Sequence, residues 1–207
     1  MPRAYPRKPS HARGINRWGA RCAETAHAGF RGRLRGKGLH TRDLAAQSTQ
    51  PYVPTWQGWL YLATVIDCHT KEVIGWATGD NYKTPLIEKA IEMAARNYPL
   101  AENAIFHSDR GSNYTSRQFA GTLRKYNLRQ SVGRTGICYD NAMAESFFAA
   151  LKNERVHRTQ YPTREHARRD IVRYIEFWYN SKRRHSGLQY RTPQQVHEEY
   201  LERHSAA

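Results

Sequence analysis

The apolar positions from residue 52 onward predict a sheet that begins with a hairpin. Residues 58–67 form a run of β-branched and aromatic side chains, and residues 72–78 form a second run. A short polar stretch, Cys68–Lys71, joins them, and two such runs around a short turn are typical of antiparallel strands. Shorter apolar runs at 104–108 and 128–132 predict two more strands.

Between and after these runs the apolar positions change to helical spacing. The clearest case is residues 84–98, where Pro85 stands at an early helix position and apolar residues recur every three or four positions. Hairpin strands followed by strands that alternate with helices predict an α/β fold, a mixed sheet covered by helices. The other predicted helices span residues 115–126, 141–155 and 164–179, and a last one runs from Thr192 to near Arg203.

Residues 1–47 differ from the rest of the chain. They contain eleven Lys and Arg, two acidic residues and many glycines, with little apolar periodicity. Such a segment buries too little apolar surface to offset the entropy of ordering it, so we expect it to be largely disordered, with at most one short helix around residues 18–27. It is either a passive tail or a basic arm that lies along phosphates. The sequence thus predicts a basic N-terminal segment, 1–47, and a core domain, 48–204.

The charge of the chain indicates its partner. The sequence has 33 Lys and Arg against 18 Asp and Glu, which gives a formal net charge of +15. Such an excess favours a polyanionic partner, of which nucleic acid is the usual one.

Several function classes are disfavoured. No run of 18 apolar residues and no apolar segment near the N-terminus is present, so we expect neither a membrane span nor a signal peptide, and a cytoplasmic protein. The three cysteines are far apart, which disfavours disulfides and a cysteine-based zinc site. The sequence has no Gly-x-x-x-x-Gly-Lys-Ser/Thr loop and no Gly-x-Ser-x-Gly elbow, so we expect neither a nucleotide cofactor nor a serine hydrolase.

Two acidic residues stand where a catalytic pair could form. Asp109 directly follows the strand at 104–108, and the carboxyl end of a strand is a common place for a ligand crevice. Glu145 lies on the helix at 141–155, and Lys152 follows two helical turns later on the same face. Mg²⁺ takes oxygen ligands, and a lysine there would lie over substrate phosphates. Taken alone, Asp109 fits a turn or helix-capping role better, and Glu145 and Lys152 fit an ordinary helix flank.

Sequence blocks between residues 52 and 200 carry a resemblance to a known family. The blocks, in order, are Tyr52–Leu62, Val65–Asp67, Ile74–Trp76, His107–Gly111, Asp140–Phe148 with Leu151 and Lys152, and Phe177–Asn180 with Arg184, His185, Leu188, Thr192 and Pro193. In these blocks and their spacing the chain resembles the catalytic domain of bacterial insertion-sequence transposases, which belong to the retroviral-integrase-like DDE superfamily.

The resemblance implies a ribonuclease-H-like fold and metal-dependent DNA cleavage and strand transfer, with two Mg²⁺ or Mn²⁺ ions that clamp the scissile phosphate. It implies that Asp109 and Glu145 are catalytic and are the second and third acidic metal ligands. It also implies a homo-oligomer on transposon ends and target DNA, associated with the nucleoid and not with a membrane. The residues expected to contact DNA are Lys152, Arg155, Lys182, Arg183 and Arg184.

The basic residues between Arg164 and Arg184 alternate with aromatic ones. This pattern is typical of an amphipathic helix with an aromatic core face and a solvated basic face. The same basic face fits contacts with the DNA backbone, which supply affinity and salt sensitivity but no sequence choice. Both interpretations can hold together.

The family's first acidic residue is missing from this chain. Counted back from Tyr52, its position is Thr49, and Pro51 nearby removes a ladder hydrogen bond from what should be a central strand. Asp43 would need six extra residues in that strand, and we expect Asp67 to be a structural acid of the hairpin turn. Our hypothesis is therefore a catalytically crippled descendant of an active transposase.

Two alternatives to an active transposase remain. The missing acid favours a non-catalytic DNA-binding remnant. A metal-dependent nuclease of the same fold is the other, but the long basic C-terminal helix and the 35-residue spacing between Asp109 and Glu145 favour a transposase.

Overall fold

Six strands form one mixed sheet in the computed structural model, which describes residues 44–45, 52–98, 100–132 and 142–205. They are β1 (Leu44–Ala45), β2 (Tyr52–Thr55), β3 (Gly58–Asp67), β4 (Val73–Gly79), β5 (Ile105–Ser108) and β6 (Arg129–Val132). Across the sheet the order is β2, β3, β1, β5, β6, and β4 also pairs with β3. The short helix expected around residues 18–27 lies outside the described residues.

The predicted hairpin is confirmed as β3 and β4, which pair antiparallel along most of their length. The side chain of Asp67 closes the turn between them. Its Oδ1 accepts the N–H of His69 at 2.9 Å, and its carbonyl accepts the N–H of Lys71 at 2.8 Å. Asp67 is completely buried. Its carboxylate is therefore part of the hairpin turn, as the sequence predicted.

β1 and β2 lie along the same edge of β3. Ile66 pairs with both Ala45 and β4, and Tyr61 pairs with both Tyr52 and β4, so β4 occupies the opposite edge. β1 also pairs in parallel with β5. Six residues separate Ala45 from Tyr52, whereas four separate Tyr61 from Ile66, so the registers of β1 and β2 on β3 differ by two residues. Two residues of the segment expected to be poorly structured thus lie in the middle of the sheet.

The described ranges contain five α-helices, and four of them were predicted to within a few residues. Their starts follow local signals: Pro85 in the first turn of the first helix, and side-chain caps on the second and the fourth. Ser116 Oγ accepts the N–H of Phe119, and Thr163 Oγ1 accepts that of His166. The helices are α1 (Thr84–Asn97), α2 (Arg117–Lys125), α3 (Ala142–Glu154), α4 (Arg164–Arg173) and α5 (Pro193–Ser205).

The prediction of one regular helix over residues 164–179 is wrong in its second half. α4 is followed by a π-helix over Tyr174–Tyr179. The N–H of Asn180 bonds to the carbonyl of Ile175, five residues back, at 3.0 Å. The side-chain amide of Asn180 also donates to the carbonyl of Val73 and accepts its N–H, both at 3.0 Å. The π-helix therefore ends at Asn180, whose side chain is hydrogen-bonded to the start of β4. The spacing of apolar residues along a helix does not reveal a tertiary contact of this kind.

The sheet has an apolar core on each face. Val65 and Phe106 pack with α1 and α2 on one face, whereas Leu62 and Ile66 pack with α3 and α4 on the other. All four are fully buried, and each such side chain contributes about 1.5–3 kcal/mol relative to an exposed one. α1 approaches β4 so closely that a Cβ at Gly75 would lie 2.2 Å from a backbone oxygen of the helix.

Candidate functional site

Asp109 lies at the carboxyl end of β5. Phe106, three residues before Asp109, packs into the α1–α2 core. The Asp109 carboxylate is half-buried, and its Oδ1 accepts the N–H of Gly111 at 2.8 Å. The turn role that the sequence allowed for Asp109 is therefore present, and a site role would be additional to it.

Two buried phenols lie under the loop that follows Asp109. The hydroxyl oxygens of Tyr82 and Tyr114 are 2.9 Å apart, and Tyr114 is 1% exposed. Burial raises the pKa of both hydroxyls, and the negative charge of Asp109 contributes to raising both. Gln130 of β6 donates to the Tyr114 carbonyl at 2.7 Å. Neutral, hydrogen-bonded groups thus fix this loop to the α1–α2 core.

Glu145 and Lys152 both lie on α3, two turns apart. Glu145 is exposed in the first turn of the helix, whereas Phe148 and Leu151 are buried on its core side. The ammonium of Lys152 lies 5.6 Å from the centre of the Tyr52 ring in β2, a cation–π distance. Asp109 follows β5 and Glu145 is in the first turn of α3, and a site that joins the two carboxylates stays a prediction.

A third acidic ligand is missing from the sequence that precedes the hairpin. The chain has no Asp or Glu between Asp43 and Asp67. Thr49, the position counted back from Tyr52, is not a carboxylate. Thr49 and Asp43 both lie outside the described residues.

The described residues do not fit the two-metal site that the resemblance implies. Within the described ranges, no group of three or more His, Cys, Asp or Glu comes together that could hold a metal ion. Asp67 is buried, and its Oδ1 is bonded into the hairpin turn. Asp109 and Glu145 are the two implied acidic ligands within the described ranges, and their metal-binding role stays a prediction.

Two of the five residues predicted to bind DNA make ion pairs within the chain. Arg155 Nη2 lies 2.5 Å from Oδ1 of Asp170, and Arg183 Nε lies 2.8 Å from Oε1 of Glu154. These pairs give both arginines a structural role, and their contact with DNA stays a prediction. Of the five residues predicted to contact DNA, Lys182 and Arg184 lie after the π-helix and are exposed.

Sequence reasoning missed the role of Glu154, the last residue of α3. Its carboxylate accepts the Tyr174 hydroxyl at 2.9 Å, the Trp178 indole N–H at 3.2 Å and the Arg183 guanidinium. Although partial burial acts to raise it, the pKa of Glu154 is lowered by these hydrogen bonds and by the charge of Arg183. Nothing in the spacing of Glu154 distinguishes it from a solvated helix residue, because its partners are 20 or more residues away.

The sequence also did not reveal that the tip of the β2–β3 hairpin carries exposed tryptophans. Trp56 is 66% exposed and Trp59 is 47% exposed, although Trp59 belongs to the run 58–67 that predicts a core strand. The available signal was Gly58 between them, which has φ +98° and follows the turn.

The sequence of the chain corresponds to a known family over most of the described residues. Two models of the integrase core domain match the chain, over residues 48–138 and 126–193. The chain belongs to the integrase core domain family. The family predicted from the sequence, insertion-sequence transposases of the retroviral-integrase-like superfamily, is thereby confirmed.

Curated relatives of this integrase core are transposases. The transposase for insertion sequence element IS904 of Lactococcus lactis is 39% identical over 69% of the chain and 56% of its own length. Transposase InsF for insertion sequence IS3A of Escherichia coli is 41% identical over 72% of the chain and 52% of its own length. The chain therefore spans about half the length of the curated relatives it matches.

A solved structure confirms the ribonuclease-H-like fold of the integrase core. The HTLV-2 integrase catalytic core domain, in a dimeric form in complex with magnesium, superposes with a TM-score of 0.55 at 14% identity, over 78% of this chain and 99% of that one. At this identity the likeness concerns the fold alone. Among the described helices, none has the length and apolar character needed to cross a membrane.

Proposed function

We propose that this chain binds DNA as a transposase core and that it has lost most or all metal-dependent strand cleavage and transfer. The observation that carries the proposal is the sequence from position 44 to position 66, which contains no Asp or Glu. The family position counted back from Tyr52 is Thr49, and because the registers of β1 and β2 on β3 differ by two residues, Gln47 is the alternative. An amide or a hydroxyl supplies no negative charge to a divalent cation.

The chemistry that is lost follows from the donor set. When bound, a pair of divalent ions would activate the attacking oxygen and stabilise the leaving oxygen of a phosphodiester. Asp109 is half-buried and already accepts one backbone N–H, and Glu145 is exposed to solvent. Two such carboxylates leave most coordination positions of two ions to water, so we expect weak metal binding and poor positioning of a phosphodiester.

DNA binding is the function that the remaining residues support. The net charge of +15 is the electrostatic footprint of a protein that binds nucleic acid. Exposed cations stand beyond the π-helix at Lys182 and Arg184, and the half-buried Lys152 lies over the Tyr52 ring of β2. Both curated relatives are transposases. By the same analogy we propose assembly of more than one copy on DNA.

The test is cleavage and joining of a labelled duplex in Mn²⁺ or Mg²⁺ by the purified chain and by two restored variants, Gln47→Asp and Thr49→Asp. We expect the unmodified chain to bind DNA and to cleave none, and the restored variant with the correct register to cleave. Glu145→Gln in that restored variant is the matched control and should abolish the gain.

Two outcomes would overturn the proposal. Cleavage by the unmodified chain that is lost in Asp109→Asn would mean that another carboxylate completes the site. Absence of DNA binding by the folded chain would remove the function itself. Binding without cleavage in both restored variants supports a DNA-binding remnant in which more than one residue of the first strand has been lost.

A further inference from the structure

Two exposed tryptophans stand on a rigid turn at the tip of the β2–β3 hairpin. Trp56 lies in the turn and is 66% exposed; Trp59 follows on β3 and is 47% exposed. Exposed indoles of this size are uncommon on a surface that carries so much charge, and tryptophan on a surface usually marks a contact. The turn is two residues long, with the Thr55 hydroxyl donating to the Gly58 carbonyl at 2.6 Å.

Hydrogen bonds from the α3–α4 connection hold this tip in place. The backbone N–H of Trp56 donates to the carbonyl of Tyr161 at 3.1 Å. At the start of α4, the Arg164 N–H donates to Oε1 of Gln57 at 3.1 Å, and its guanidinium Nε donates to the Trp59 carbonyl at 3.2 Å. The backbone beneath both indoles is therefore fixed, so that binding a flat partner would cost little ordering of the turn.

The indoles are bordered by cations and by a further ring. The Tyr52 ring meets Trp59 edge-on, with centroids 4.4 Å apart. Lys152 lies over the same Tyr52 ring, and the Arg164 guanidinium lies close to the Cα of Gly58, since a Cβ there would be 3.1 Å from Nη2. The exposed indole rings, with a lysine and an arginine nearby, suit a partner that carries both negative charges and flat rings.

We propose that this tip, formed by Trp56, Trp59, Lys152 and Arg164, is a stacking platform for unpaired DNA bases. The indoles would stack on bases that have left the duplex, and the two cations would contact their phosphates. In a DNA duplex, the ring faces of the bases are covered by the neighbouring base pairs. The platform therefore selects single-stranded or opened DNA. The inference rests on the proposed DNA binding and adds the form of DNA that this part of the surface takes.

Lys152 relates the tip to the helix that carries Glu145. Its ammonium lies over the Tyr52 ring, and Glu145 is two helical turns away on the same helix, α3. The tip thus adjoins the helix that carries one of the two candidate carboxylates.

The test compares binding of labelled single-stranded and duplex DNA of equal length by the full chain and by Trp56→Ala and Trp59→Ala. We expect each alanine variant to bind the single strand at least about fivefold more weakly and the duplex with less than a twofold change. Trp56→Phe, which keeps a ring, should recover most of the affinity. Phe177→Ala is the matched control, because Phe177 is 68% exposed at a different place.

A strand of the same length that contains only abasic sites separates stacking from charge. The unmodified chain should bind it no more tightly than the Trp56→Ala variant binds the normal strand. An equal loss on single-stranded and duplex DNA, or no loss in either tryptophan variant, would overturn the platform. A smaller molecular mass of Trp56→Ala by light scattering, with DNA binding unchanged, would assign the tip to contact between copies and would equally overturn it. If the unmodified folded chain bound no DNA at all, the proposed function would fail first.

Discussion

Glu154 and Arg183 form an ion pair of 2.8 Å that ties the last residue of α3 to the segment after the π-helix. The Glu154 carboxylate also accepts the hydroxyl of Tyr174 and the indole N–H of Trp178. Glu145 lies on the same helix as Glu154. The network therefore fixes one end of the helix whose other end carries the candidate metal ligand.

Neutralising Glu154 should destabilise the fold and remove part of its acid sensitivity. Glu154→Gln weakens three hydrogen bonds, two of them to groups that are partly shielded from water, and we expect a loss of about 1–3 kcal/mol in the free energy of unfolding at pH 7. Because the pKa of Glu154 is lowered in the folded chain, its contribution is present above the unfolded pKa and is lost as the pH falls through the folded one.

Urea unfolding at a series of pH values between 3 and 7 measures this effect. The difference between the unmodified chain and Glu154→Gln should shrink as the pH falls below about 4.5. Glu202→Gln on α5 serves as the control for an exposed helix glutamate. A difference that stays constant with pH would contradict an ionised Glu154 as the source of the stability.

His185 should make stability depend on pH in a different window. Burial, with the positive charges of Arg183 and Lys71, lowers the pKa of His185 to about 4. The folded chain therefore keeps this imidazole neutral while the unfolded chain takes up a proton below about pH 6.5. Stability is fully present above pH 6.5 and falls as the pH drops from there toward 4.

Removing the imidazole should flatten that dependence. His185→Gln should unfold with a free energy that changes less between pH 6.5 and 4.5 than that of the unmodified chain, as measured in urea at each pH. His157, exposed in the connection after α3, provides the matched substitution His157→Gln. Equal slopes for the unmodified chain and His185→Gln would show that other groups carry the proton uptake.

Asn180 should be among the polar residues most sensitive to substitution. It is 4% exposed, and its amide satisfies both the N–H and the carbonyl of Val73. Asn180→Ala leaves both backbone groups buried without their partners, so we expect a loss of about 2–4 kcal/mol. Thermal or urea unfolding measures it, with Asn97→Ala at the exposed end of α1 expected to stay within about 0.5 kcal/mol. A loss of similar size in both variants would contradict the specific role of the Val73 bonds.

The order of strands and helices was accessible from the sequence because apolar spacing is a local signal. The hairpin at 58–67 and 73–79 and all five helices were predicted in this way. Apolar spacing does not show which residues of an apolar run are covered by another element of the fold. Leu60 and Trp59 are adjacent in the same run, yet Leu60 is completely buried and Trp59 is half-exposed, because no helix covers the tip on the side of Trp59.

The candidate site stays a prediction in its two acidic members, which the sequence identifies by motif and spacing. The structure gives their elements, Asp109 after β5 and Glu145 in the first turn of α3. The registers of β1 and β2 on β3 differ by two residues because of the extra length between Ala45 and Tyr52. Because a sequence count contains no strand register, counting back from Tyr52 gives Thr49 alone and does not suggest Gln47 as an alternative.

The structural and DNA-binding roles of neighbouring basic residues should separate in a salt titration. Lys182 is exposed, whereas the Arg183 guanidinium is bonded to Glu154 and packs over the Tyr179 ring at 5.9 Å. Lys182→Ala should lower DNA affinity and reduce the slope of log affinity against log salt by about 1, since one phosphate contact is lost, with no change in unfolding temperature. Arg183→Ala should lower the unfolding temperature, because the bond to Glu154 is lost, and a reduced salt slope of the folded protein would show that Arg183 contacts DNA as well. Arg124 is an exposed arginine on α2, at the other face of the sheet, and Arg124→Ala should change neither quantity. If Lys182→Ala and Arg124→Ala reduced the salt slope equally, DNA affinity would depend on net charge alone. In that case no defined basic surface would exist beyond the π-helix.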